Sequence, residues 1–286
     1  MKNTFLNSLL LSVCTIVIAG TAKAYSPADT TNNNLLACID NIPKKEIVIK
    51  EANVLYPSIF AGAENESMEY IEKLSENRKA YLTRIYKLSK KYFPKVAPIL
   101  KKQNIPAEFA VLMALESGFN SNAVSSAGAV GYWQIMDDVA KEYGLKIAAK
   151  EKTKEVEKVK PHTNKQKAIT DERKNFVRST HAAARYLKDR SRNLNGNWLL
   201  IAASYNCGVG NVWDAMEKCG KSNPDFWDIK DYLPAETRAY VMNFIALNVI
   251  FKNFDNFSKN NLCFKPVLVN YTPQQMNTAA TLQQTD

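Results

Sequence analysis

The chain has 286 residues, 46% of them hydrophobic and 23% charged, with a formal net charge of +10 at pH 7. That composition excludes a fibrous or low-complexity protein and supplies enough apolar material for one sizeable core or two small ones. The positive balance favours anionic partners such as nucleic acid, lipid head groups or cell-wall carboxylates.

Residues 1–24 read as an export signal. Lys2 precedes an apolar block over residues 9–19, and Ala22-Lys23-Ala24 forms a small-x-small cleavage pattern, so removal after Ala24 is expected. The block is shorter than the roughly 20 residues that span a bilayer, and no later stretch is continuously apolar for that length. Export places the protein in the periplasm or cell envelope and argues against nucleic acid. Lipid anchoring at Cys14 is not expected, because Val13 is bulkier than the residue such sites place before the cysteine. Four cysteines remain, Cys38, Cys207, Cys219 and Cys263, which in an oxidising compartment allow three pairings. Cys207 and Cys219 bracket one predicted helix, about 18 Å apart along its axis, which is beyond disulfide reach. Buried free thiols are the other reading. The spacing does not suit a zinc site, and no metal is expected.

Residues 25–66 lack periodicity and are rich in Asn, Pro and small residues, so they read as a linker or extended arm. Order is expected from Ser67. Ile71, Leu74, Tyr81, Ile85 and Leu88 fall close to helical spacing within residues 68–89, and a second helix is expected over residues 96–102. Pro106 then opens a helix that Gly118 stops. Residues 146–175 hold many Lys and Arg among few apolar side chains and read as a solvated insertion. Helices resume over residues 179–194, 198–205, 211–218 and 234–251, with Asn195-Gly196-Asn197 as a turn. Strand signals are almost absent. Residues 256–286 form a polar tail whose last part has the composition of disorder.

Glu116 stands out. Phe109, Leu112, Met113 and Glu116 recur at i, i+3, i+4 and i+7, so the carboxylate continues an apolar stripe. Desolvation and the negative end of the helix dipole both favour its protonated form, so its pKa should be raised. An acid held neutral near pH 7 is what protonation of a glycosidic oxygen requires. A structural Glu bonded to a buried donor is the alternative. Further along, Gly128 and Gly131 allow close backbone approach, while Trp133 and Gln134 offer a stacking face and an amide, as sugar sites do. In "ASYNCGVGNV", Tyr205 and Asn206 end an apolar helix, and in "LPAETRAYV", Glu236 and Tyr240 share a helix face.

Glu116-Ser117, the segment from Ser125 to Met136 with its Gly-x-x-Gly-x-x-Gln core, "AAARYLKD", "SYNCGVGNV" and "DYLPAETRAYV" occur in this order. Together they resemble the soluble lytic transglycosylase family, in particular its membrane-bound murein transglycosylase D type. The resemblance implies a mainly α fold: a lysozyme-like transglycosylase domain over residues 67–255, interrupted by the Lys-rich insertion and preceded by a helical N-terminal segment. It also implies non-hydrolytic cleavage of the β-1,4 bond between N-acetylmuramic acid and N-acetylglucosamine in peptidoglycan glycan strands, leaving a 1,6-anhydro end, with no cofactor and a monomeric protein. Carried over motif by motif, Glu116 is the single acid/base. Ser117, Ser125, Gln134, Tyr205, Asn206 and Tyr240 shape or contact the substrate cleft, and Glu236 is a buried supporting carboxylate. Ser204 stands where the family usually has Ala, Met242 stands where Pro is common, and no LysM wall-binding module follows residue 255. Two other readings remain at this point. A hydrolytic muramidase or chitinase would need a second carboxylate, for which Asp137 and Asp138 are the nearby candidates, although both read better as helix capping. A non-catalytic wall-binding protein would gain by losing a costly buried acid.

Overall fold

The computed structural model describes residues 46–147 and 171–271. The expected signal segment, Cys14, Cys38 and most of the Lys-rich insertion lie outside the described residues. By contacts the chain divides into Val48–Val269 and a second unit of Met1–Ile47 with Asn270–Asp286. Every helix among the described residues belongs to Val48–Val269.

The described residues are mainly helical: α1 Glu64–Asn77, α2 Lys79–Lys101, α3 Leu112–Ser117, α4 Asp137–Glu142, α5 Phe176–Asn193, α6 Trp198–Cys207, α7 Val209–Cys219, α8 Phe226–Ile229, α9 Ala235–Lys252 and α10 Phe254–Ser258. Strands β1 Glu46–Lys50 and β2 Val267–Tyr271 pair in a two-stranded sheet. Helix α9 is the axis of the core. Its buried residues Val241, Phe244, Ile245, Ala246, Leu247, Val249 and Ile250 run around the whole helix rather than along one stripe, because α1, α3 and α6 all pack on it. Phe109 sits at the centre, its ring 5.0 Å from that of Phe244 and 5.6 Å from that of Trp198.

Several boundaries differ from expectation. The first two predicted helices are broken at Arg78 instead of near residue 90, and α2 runs through Pro94 and Pro98. Both prolines are exposed, so the carbonyls that lose their intrahelical donors face water, and the helix continues. The predicted helix from Pro106 starts as a 3₁₀ turn over Ala107–Val111 before α3; Gly118 then stops it in the left-handed conformation at φ 57°. The later part of the expected arm is packed: Phe60 and Ala63 are buried in the core. Asn253 clamps Leu55 from both sides, accepting from its N–H at 2.9 Å and donating to its carbonyl at 2.7 Å. The tail is likewise held as far as β2, with Phe257, Cys263 and Phe264 buried. Asn and Pro composition suggested a loose segment, but a side-chain amide can satisfy backbone groups that no helix or sheet pairs.

Candidate active site

Glu116 is on the last turn of α3, beyond the fully buried Leu112 and Met113. Its Oε1 accepts a hydrogen bond from Tyr240 Oη at 2.6 Å. Burial is the main cause that raises its pKa from 4.5 to about 7; the Tyr240 bond pulls it down and the charge of Glu236 pushes it up. The same proximity raises Tyr240 well above its ordinary value, chiefly through burial and then through the Glu116 charge. Tyr205 is raised by the same two causes, burial first and then the charge of Glu116.

The loop over residues 123–136 forms the facing wall, and it is built from its own polar atoms. Ser125 Oγ accepts from Ala129 N at 3.0 Å, and Gln134 Nε2 donates to Gly131 O at 2.9 Å and Ala123 O at 3.2 Å. Ser125 and Gln134 therefore spend part of their capacity on loop shape, and Gln134 keeps only its carbonyl oxygen for a ligand. Two carbonyls of this loop are held by side chains of other elements: Ser117 Oγ donates to Tyr132 O at 2.9 Å, and Tyr205 Oη donates to Trp133 O at 2.8 Å. A cavity of about 400 Å³ adjoins the loop, lined by Gln134, Ile135, Met136, Val139, Ala183, Tyr186, Tyr205, Asn206, Cys207 and Gly208. Asn206 Oδ1 accepts from Thr237 Oγ1 at 2.7 Å, which ties the end of α6 to the start of α9.

Sequence reasoning missed the residue that holds this loop. Arg173 lies in the stretch read as solvated, yet it is only 5% exposed. Its guanidinium pairs with Asp171 at 2.6 Å and Asp137 at 2.5 Å, and donates to Ile135 O at 3.2 Å. Its own carbonyl occupies the space where a Cβ on Gly131 would sit. That close approach, together with a φ of 84°, is why Gly131 has no side chain. Gly128 also has positive φ, but open space around it. Nothing in a lysine-rich stretch marks one arginine for burial; the only signal was the pair of acids, Asp137 and Asp171, on either side of the excursion.

Three expectations need correction. Glu236 is exposed on the first turn of α9, where acids favour the positive helix end, so it is not a buried supporting carboxylate. Trp133 has no exposed surface and donates its indole N–H to Thr180 Oγ1 at 3.0 Å, so it offers no stacking face. Asp137 does not cap α4, whose N-cap is Met136 without a side-chain bond; it pairs with Arg173 instead. Asp138 is almost wholly exposed. Among the described residues Cys207, Cys219 and Cys263 are free thiols, and no His, Cys, Asp and Glu group forms a metal site.

Residues 97–227 match the Transglycosylase SLT domain family. They contain Glu116, the loop and its Arg173 latch. The chain carries a transglycosylase SLT domain. It is 32% identical over 192 residues, 66% of its length, to the "Membrane-bound lytic murein transglycosylase D" of Escherichia coli strain K12, and equally to that of strain O6:H1. It spans 38% of the length of each relative. A crystal structure of an inactive mutant of the lytic transglycosylase Slt from Pseudomonas aeruginosa covers 59% of this chain and 24% of its own, with 22% identity and a TM-score of 0.40. The mainly α, lysozyme-like class expected for an SLT domain is borne out. Tyr240 and Thr237, which bond Glu116 and Asn206, lie on α9 beyond the matched residues.

Proposed function

We propose that this protein is a peptidoglycan lytic transglycosylase, with Glu116 as its only acid/base. The observation that carries this is one half-buried carboxyl with a pKa of about 7, bonded to Tyr240, while the cavity that Tyr205 and Asn206 line holds no carboxylate of its own. A group with that pKa is protonated in about half of the molecules at neutral pH and can both give and take a proton. The lining of that cavity offers no second carboxylate to flank the bond, whereas substrate-assisted enzymes need only one.

In this reading neutral Glu116 donates its proton to the bridging oxygen as the glycosidic bond breaks. The N-acetyl oxygen of the muramyl sugar closes on the anomeric carbon as that bond leaves. The Glu116 carboxylate then takes the proton from the C6 hydroxyl, whose oxygen displaces the N-acetyl oxygen and forms the 1,6-anhydro ring. No water enters and the enzyme returns to its first state. Tyr240 steadies the carboxylate between the two transfers. Tyr205 and Ser117 hold the facing loop, and Ser125, Gln134 and Asn206 line the path of the sugar. Residues 1–24 deliver the chain to the periplasm or envelope, where glycan strands are the partner of a monomeric enzyme without a cofactor.

Mass spectrometry of muropeptides released from purified sacculi tests this. Anhydro ends are expected. Reducing ends would instead establish a muramidase, and an undigested wall a binding protein.

A further inference from the structure

Residues 77–107 contain nine lysines and arginines and no acid. Five of them, Arg84, Lys87, Lys91, Lys95 and Lys102, follow one another at spacings of 3, 4, 4 and 7 residues along α2 and its C-cap. At 100° per residue these spacings confine them to an arc of about 80° that runs for about 27 Å along the axis. All five are exposed. Among the described residues none forms an ion pair, although the structure pairs Lys73, Arg173, Arg178, Lys221, Lys230 and Lys265. Lys87 with Lys91, and Lys91 with Lys95, are like charges at i, i+4, an arrangement that weakens a helix. Surface solubility alone is served better by alternating Glu and Lys.

The stripe is also close to the chemistry. Tyr92, next to Lys91, stacks on Phe119 with ring centroids 5.1 Å apart, and its ring is 5.7 Å from that of Tyr132. Phe119 follows Glu116 by three residues, and the carbonyl of Tyr132 holds Ser117. One layer of aromatic side chains separates the middle of the stripe from the catalytic turn.

We infer that the cationic face of α2 binds the carboxylates of peptidoglycan peptide stems, holding the substrate strand alongside the site. The inference rests on the peptidoglycan reading above. The sugars of a glycan strand are uncharged, so the negative charge of this polymer resides in its stems. A straight row of cations about 27 Å long engages a polymer rather than a single small anion. Its position against the catalytic turn favours the polymer being cut over a lipid bilayer. Such contacts are solvent-exposed and weaken as salt rises.

The test compares the full chain with a variant carrying Arg84→Gln, Lys87→Gln, Lys91→Gln, Lys95→Gln and Lys102→Gln, since glutamine keeps helix propensity. Co-sedimentation is measured with native sacculi, with sacculi whose carboxylates are amidated, and with vesicles of phosphatidylglycerol and phosphatidylethanolamine. The wild type should be retained about tenfold more weakly after amidation or in the variant, and the variant should no longer respond to amidation. Turnover of sacculi with amidated carboxylates and the melting temperature should match between the two proteins, which shows that the variant is folded. Equal retention of both proteins on native sacculi overturns the inference. So does a loss confined to the vesicles, which would assign the stripe to a membrane surface. Absence of cutting of native and amidated sacculi by the wild type would remove the transglycosylase reading instead, and leaves the sedimentation result to be judged separately.

Discussion

Tyr240 donates its phenolic hydrogen to Glu116 Oε1 at 2.6 Å, joining two side chains 124 residues apart. Because Oε1 is an acceptor there, the acidic proton of neutral Glu116 belongs on Oε2. Under the proposed function, this one bond sets both which oxygen meets the glycosidic bond and how easily the carboxyl ionises.

Glu116→Gln should abolish turnover, since an amide keeps the shape but cannot give up and recover a proton. It should also change stability with pH. The folded pKa of about 7 lies above the ordinary 4.5, so the folded state binds more protons between those values, and wild-type stability falls as pH rises from about 4.5 to about 7. The glutamine variant lacks that loss and should be more stable than wild type at pH 8, by about 3 kcal/mol, with the gap closing toward pH 5. Thermal melts at the two pH values, beside turnover assays, read both effects. Near wild-type clearing of cell wall by the variant would remove Glu116 from the mechanism.

The tyrosines should separate by pH profile. Tyr240→Phe removes a bond that stabilises ionised Glu116, so the pKa should climb further and the alkaline limb of the rate should move to higher pH. Its rate should fall by the equivalent of about 0.5–1.5 kcal/mol, rising to about 3 if the bond acts on full charge. Tyr205→Phe breaks the link to Trp133 O, so it should lower turnover with the limb unmoved. Identical limbs in wild type and Tyr240→Phe would mean that the observed bond does not tune the acid.

Glu236→Gln should fold as well as wild type, within about 0.5 kcal/mol, as expected for an exposed side chain. Its charge raises Glu116, so neutralising it should move the alkaline limb slightly to lower pH while activity persists. A stable but inactive Glu236→Gln protein would restore a two-carboxylate mechanism.

Alanine at the two loop glycines should not cost the same. Both have positive φ, which penalises a side chain by about 1 kcal/mol. At Gly131 the new methyl would also strike the Arg173 carbonyl, so Gly131→Ala should lose about 2 kcal/mol or more beyond Gly128→Ala and lower turnover by displacing Tyr132 and Trp133. Equal melting temperatures for the two variants would contradict the close packing of Arg173 on the loop.

The sequence by itself determined the helical class, the position of Glu116 at the end of an apolar stripe, the stop at Gly118 and the direction of its pKa shift. These depend on local spacing and on chemistry that a single segment carries. Which partners complete the site was decided only in three dimensions. The burial of Arg173, the retirement of Trp133 into the core and the exposure of Glu236 depend on which elements pack together. A charged residue's environment is set by distant chain, here Asp137 for Arg173 and the solvent above α9 for Glu236, so spacing along one helix cannot predict it. The Tyr240 bond is of the same kind: α3 and α9 each carry half of it, and only their packing brings the halves within 2.6 Å.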